Sequence, residues 1–281
     1  MSEIAAEILW RLNVAANGVG RFILAPIGWG PAWLSNAIVA AIAGVGMLLV
    51  FKHTSNQKAI GRVRDGIKAD MLTLKLFKDS LAVSLVAQGR MLRGAMMLFV
   101  WALVPIAVMT IPICLLLSQM GLWYQYDPAP LGGDVIVTVA LNDDDDTFLE
   151  SVFLERDDSF EIVAGPMRAP AQGEVWWTIR GLQEGQHKMT FDVAGRKITK
   201  SLAFGHGPMR VSKRRPDMSL SGVLLYPAER PFNGDSVFRW IDVQYERRPG
   251  WANGADAWVI TFFVVSVVFA LLFKNSLGTR L

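Results

Sequence analysis

Apolar and polar positions divide this chain into three kinds of pattern. Three runs contain no charge at all: "PAWLSNAIVAAIAGVGMLLVF" (31–51), "GAMMLFVWALVPIAVMTIPICLLLSQMGLWYQY" (94–126) and "AWVITFFVVSVVFALLF" (257–273). A helix needs roughly 20 apolar residues to cross the hydrocarbon core, within a range of about 17–25. The first two runs clear that length, and the third sits at its lower limit. Between the first two runs, Ile60, Ile67, Leu74 and Leu81 recur every seven residues, flanked by Val63 and Phe77 and interrupted by Asp70. That is a helix with one apolar seam.

Residues 127–250 change character. Short runs alternate apolar and polar residues between glycines, prolines and aspartates: 134–141, 148–155, 159–165, 174–182, 187–195, 196–205, 221–227 ("SGVLLYP") and 237–245. Alternation of this kind gives a strand one buried face and one wet face. Seven or eight short strands at this spacing predict an antiparallel β-sandwich. "LQEGQHKMTF" is similar to the L-x-x-G-x-Y corner of immunoglobulin-like and fibronectin-type modules, with His187 in the tyrosine's place.

Charge sets the orientation. Residues 52–93 carry nine bases against three acids, and residues 124–256 carry fifteen bases and twenty acids. Short loops rich in lysine and arginine stay in the cytoplasm. The expected location is therefore an integral one, in a bacterial inner membrane, with the N-terminus outside and the C-terminus in the cytoplasm. Trp29, Trp33, Trp123, Tyr124, Trp251 and Trp258 would then line the outer face as an aromatic belt.

The expected fold class is mixed α and β membrane protein: three transmembrane helices, a cytoplasmic helical hairpin and an inserted extracytoplasmic antiparallel β-sandwich. Its parts are an amphipathic interfacial helix (1–30), transmembrane 1 (31–51), a basic hairpin (52–93), transmembrane 2 (94–123), the β-sandwich domain (124–254), transmembrane 3 (255–273) and a cytoplasmic tail (274–281). Residues 1–30 do not read as a signal peptide, because Glu3 and Glu7 stand where a basic start belongs. Ile4, Ile8, Leu9 and Leu12 share one face there and suit the outer interface. Cys114 is the single cysteine, so no intrachain disulfide forms.

The hairpin segment begins and ends at one membrane surface. Forty residues of straight helix would end about 60 Å away, so the segment folds back or lies flat on lipid. "KDS" (78–80) offers an N-cap for a second arm. The candidate partner- or lipid-binding face is Arg62, Arg64, Lys68, Lys75, Lys78, Arg90 and Arg93. The spans hold no ionisable group, which speaks against a pump or ion carrier. Their candidate polar groove is Ser35, Asn36, Thr110, Ser118 and Gln119. Pro105 and Pro112 interrupt the second span. Asp143, Asp144, Asp145 and Asp146 are a weak metal candidate. They lack the spacing of an EF-hand loop and read as a solvated turn. "SKRRP" (212–216) reads as an exposed basic loop.

The chain has no G-x-S-x-G, H-E-x-x-H, Walker or C-x-x-C motif, and only three histidines. The expectation is no enzyme, no cofactor and no nucleic-acid partner. The layout of an external amphipathic helix, a span, a basic hairpin and a span bearing "VPIAVMTIPICLLLSQMGLWY" (104–124) resembles the YidC-like insertase superfamily over residues 1–124, with the last span a candidate extension. The resemblance implies a groove that lowers the barrier to inserting a nascent membrane protein. Many members carry an arginine or other polar groups in that groove, where this chain has Asn36, Ser35 and Gln119. The first expectation is a non-catalytic subunit or scaffold of a cell-envelope complex, bound to lipid and to other membrane or envelope proteins. The alternatives are an insertase or chaperone, and a ligand-sensing receptor.

Overall fold

The computed structural model describes residues 2–24, 31–55, 57–77, 79–142, 149–193, 195–251 and 256–278. It consists of helices and antiparallel β-sheets. The chain divides into two compact units: Met1–Ser35 with Cys114–Val259, and Asn36–Ile113 with Ile260–Leu281.

The first unit holds the strands. β1 (Asp134–Leu141), β2 (Val152–Leu154), β3 (Phe160–Ala169), β4 (Glu174–Gly181), β5 (Gly185–Val193), β6 (Arg196–Phe204), β7 (Arg214–Arg215) and β8 (Phe238–Val243) form two sheets. Their orders are β3-β4-β1-β8-β7 and β2-β5-β6, every pairing antiparallel. The alternation read from sequence sets the register. Val135, Val137 and Val139 of β1, Val175, Trp177 and Ile179 of β4, and Met189, Phe191 and Val193 of β5 all enter one buried cluster. Trp177 lies 5.4 Å from Phe191, ring centre to ring centre. Gly181 leaves room for the Phe204 ring, since a β-carbon there would fall 2.4 Å from it. A ring nitrogen of His187 lies 3.0 Å from the carbonyl of Gln183.

Three expected elements differ. Residues 221–227 are not a strand. α5 (Leu220–Leu225) forms instead, because the Ser219 hydroxyl accepts from the Gly222 N–H at 3.0 Å and starts a helical turn. Of 148–155, only Val152–Leu154 pairs as a strand. "SKRRP" is not an exposed loop. It contains β7, Arg214 donates to Asp242 at 2.8 Å, and the Arg215 guanidinium lies 4.4 Å over Phe232.

α1 (Ser2–Leu24) also belongs to this unit and packs on α5. It docks through its polar face. Asn13 donates to Val223 O at 2.8 Å, Asn17 donates to Pro227 O at 2.7 Å, and Arg210 donates to Asn17 at 2.7 Å. Ala6 and Asn13 are fully buried, while Ile4, Ile8 and Leu12 stay exposed.

The second unit takes in most of α2 (Ala32–Thr54), all of α3 (Gln57–Leu76), the first part of α4 (Leu81–Tyr124) and most of α6 (Ala257–Phe273). By length and composition, α2 and α4 can each cross a membrane, whereas α6 has 17 residues and falls just short. The expected second hairpin arm and second span are one uninterrupted helix of 44 residues, about 66 Å at 1.5 Å per residue. Pro105 and Pro112 lie inside it. α2 and α6 touch backbone to backbone. A β-carbon on Gly44 would fall 2.2 Å from Ser266 O, so only glycine permits this approach.

Candidate interaction surfaces

In the second unit, α3 and the start of α4 form an antiparallel pair. Ile67 sits so close to Gly94 that a β-carbon there would lie 2.8 Å away. Asp70, which interrupts the seam, faces Arg90 at 3.4 Å. Ile60 is buried, Val63, Ile67 and Leu74 are half-buried, and Ala87 of α4 is fully buried. The expected seam ends early. Phe77, just past the end of α3, is 54% exposed and Leu81, the first residue of α4, is 81% exposed.

Packing on this seam leaves the basic face outside. Arg62, Arg64, Lys68 and Lys75 of α3, with Arg90 and Arg93 of α4, are all exposed. Lys78 lies outside the described residues. Asp65 approaches Lys68 at 3.9 Å. At this exposure such a pair is worth at most about 1 kcal/mol and does not neutralise the face.

The candidate polar set separates. Ser35, Ser118 and Gln119 belong to the first unit, and Asn36 and Thr110 to the second. Ser35 donates to Ala32 O at 3.0 Å and accepts from the Tyr124 hydroxyl at 3.0 Å. Ser118 donates to Leu115 O at 3.0 Å, and exposed Thr110 to Ile106 O at 2.8 Å. Hydroxyls closed onto their own helices have their donors spent locally. Asn36 and Gln119 are buried, and Gln119 abuts Gly20 of α1. Tyr124 stacks with Trp258 at 6.2 Å, while Trp33 and Trp251 remain exposed. Trp29 of the expected belt lies outside the described residues.

Within the second unit, α2, α4 and α6 enclose an open cleft of about 240 Å³. Met47, Leu48, Phe51, Met109, Ile113 and Phe262 are among its walls. Its one polar side chain, Ser266, donates to Phe263 O at 3.0 Å. The cleft therefore presents hydrocarbon surface only.

One buried polar cluster was not foreseen. Lys200 is wholly buried and donates to Ser212 O at 2.6 Å, Ser212 Oγ at 3.1 Å and Glu229 Oε1 at 2.7 Å. Glu229 also accepts from the Ser201 N–H at 3.0 Å and from the Ser212 hydroxyl. Burial lowers the Lys200 pKa, and the Glu229 carboxylate opposes that shift. A serine beside such a lysine has the parts of a nucleophile and its base. Here Lys200 has no exposed surface, and its donors are occupied by a carboxylate and two carbonyls. The cluster ties β6 to the segment before β7 and to the loop after α5. In the sequence, the signal was an unpaired lysine at an inward-facing position of "RKITKSLAF".

The metal candidate Asp143, Asp144, Asp145 and Asp146 lies outside the described residues. Among the described residues no group of histidines, cysteines and carboxylates is placed to hold a metal ion. No protein-family profile matches the chain, and neither does any curated protein or solved structure.

Proposed function

We propose that the chain is a non-catalytic integral subunit or scaffold of a bacterial inner-membrane complex. In this reading α6 is a third span, the hairpin faces the cytoplasm, and the two sheets form a sandwich on the outer side. The observation that carries it is the hairpin. Its seam is closed by Ile67 against Gly94 and by Asp70 against Arg90, and this holds six bases outward on a preformed support. A rigid basic face loses little conformational entropy on binding an acidic partner. The apolar lining of the cleft supports the same reading, since a packing interface needs no polar path.

The insertase reading is the second, and one observation favours it. Met96, Phe99, Val100 and Leu103 of α4 are exposed next to the hairpin, an apolar strip suited to receiving another hydrophobic helix. A ligand-sensing receptor has no comparable feature in its favour.

Purification of the full chain from its own membranes separates these readings. A scaffold co-purifies with a stoichiometric partner that Arg62→Glu/Arg64→Glu/Lys68→Glu releases. An insertase, reconstituted alone in vesicles, drives a hydrophobic segment into the bilayer. Insertion by the chain alone, with no retained partner, would overturn the first reading.

A further inference from the structure

We infer that α1 is an in-plane anchor. It binds the acyl boundary of the leaflet on the side of the sheets, and through that contact the bilayer holds the strand-bearing unit. This rests on the reading that α4 crosses a membrane. Three observations, all within the first unit, support it.

The first is which face of α1 is spent on protein. Ala6, Asn13, Asn17 and Gly20 follow one another at spacings of seven, four and three, and so form one stripe. Asn13 and Asn17 donate to the carbonyls of Val223 and Pro227. A helix resting on a protein in water turns its apolar face inward. α1 does the opposite. Ile4 lies nine residues before Asn13, about 180° around the axis, and Ile8 and Leu12 continue its row at steps of four. They are 68%, 56% and 43% exposed, so a row of large apolar side chains lies outside the docked stripe.

The second is the level at which α1 sits. A β-carbon on Gly20 would lie 3.2 Å from Oε1 of buried Gln119. Gln119 belongs to the charge-free run 94–126 and stands five residues from the end of α4, about 7.5 Å along its axis. α1 therefore meets the last turns of a helix able to cross a membrane, where head groups give way to chains.

The third is the placing of charge. Arg11 pairs with Glu7 at 3.0 Å on one margin of the row and leaves the row itself uncharged. An interfacial helix keeps such a margin among head groups and buries its apolar face by about 5–10 Å. Lipid is the occupant because the docked stripe already holds this face at the level of the chains.

The test places single cysteines in the full chain on a Cys114→Ser background, labels them with a small fluorophore and reconstitutes each chain in vesicles. A label at Ile8→Cys is expected to be quenched by phosphatidylcholine brominated near the top of its chains and spared by aqueous iodide. Gln172→Cys, exposed beside the end of β1 remote from α4, is expected to show the reverse. Adding Ile4→Ser/Leu12→Ser is expected to turn position 8 toward iodide. Both side chains are exposed, so the melting temperature should stay as it was. Iodide quenching at position 8 equal to that at position 172 would overturn the inference. So would shielding from both quenchers, which marks a protein partner or a second copy. Absence of bromolipid quenching at Val104→Cys, exposed on α4, would instead overturn the membrane reading beneath it.

Discussion

Glu229→Gln keeps the shape of the side chain and removes the charge that Lys200 faces at 2.7 Å. Lys200 has no exposed surface, so its ammonium cannot turn to water. It would keep the carbonyls of Ser201 and Ser212, at 3.1 and 2.6 Å, but no counter-charge. Breaking a buried pair from one side costs about 3–5 kcal/mol. Total stability is only about 5–15 kcal/mol, so the loss is a large share of it. For a unit of this size, 1 kcal/mol moves the melting temperature by roughly 2–4 °C, and a drop on the order of 10 °C follows. The double variant Lys200→Met/Glu229→Gln removes both charges and should cost less than Glu229→Gln alone, since methionine fills the space without a charge to desolvate.

The pH dependence carries a sign. Burial lowers the Lys200 pKa and Glu229 opposes the shift. Without Glu229 the folded state binds fewer protons than the unfolded chain below lysine's ordinary value. Stability of Glu229→Gln should therefore rise as pH rises toward that value. The assay is urea unfolding of the full chain in detergent, followed by the summed fluorescence of its ten tryptophans, Trp177 of the core among them. A Glu229→Gln midpoint within about 1 kcal/mol of wild type, or a double variant worse than the single, would refute the reasoning.

The Tyr245 hydroxyl accepts from the Ala203 N–H at 2.9 Å, so Tyr245→Phe should cost about 1–3 kcal/mol at neutral pH. Burial raises that phenol's pKa, so wild-type stability should fall as pH climbs above about 10, and less so in the variant, in an alkaline melting series. Gly44→Leu should separate α2 from α6 and lower the melting temperature in detergent, while Gly46→Leu, with nothing within 4 Å of its β-carbon position, should not. Ile67→Glu should cost a few kcal/mol by placing a charge on the hairpin seam. The reversal Arg62→Glu/Arg64→Glu/Lys68→Glu should leave the melt unchanged, and equal melts for the two variants would show that the seam is not packed.

Periodicity alone carried much of this protein. Charge-free runs of 20 residues or more have few fates besides a membrane-crossing or wholly buried helix, so α2 and α4 were legible. Alternation in "DVIVTVAL" and "EVWWTIRG" likewise marked β1 and β4 residue by residue, because a strand's side chains have a period of two. The seam of α3 and its basic face were legible for the same reason.

Contacts between residues distant in sequence were decided by the tertiary structure. "SGVLLYP" suits a strand by composition, and the Ser219 cap made it a helix. Asn13 and Asn17 of α1 bind the carbonyls of Val223 and Pro227, while Ile4 and Ile8, on the face read from sequence as apolar, stay exposed. Serines and threonines in the spans suggested a groove, and local bonds to their own helices consumed their donors. Lys200 and Glu229 are 29 residues apart, and no pattern links them before β6 and the loop after α5 meet. Patterns along a chain report which face of an element is apolar. What that face meets, and which polar groups it meets there, depends on chain folding over distances that no local period encodes.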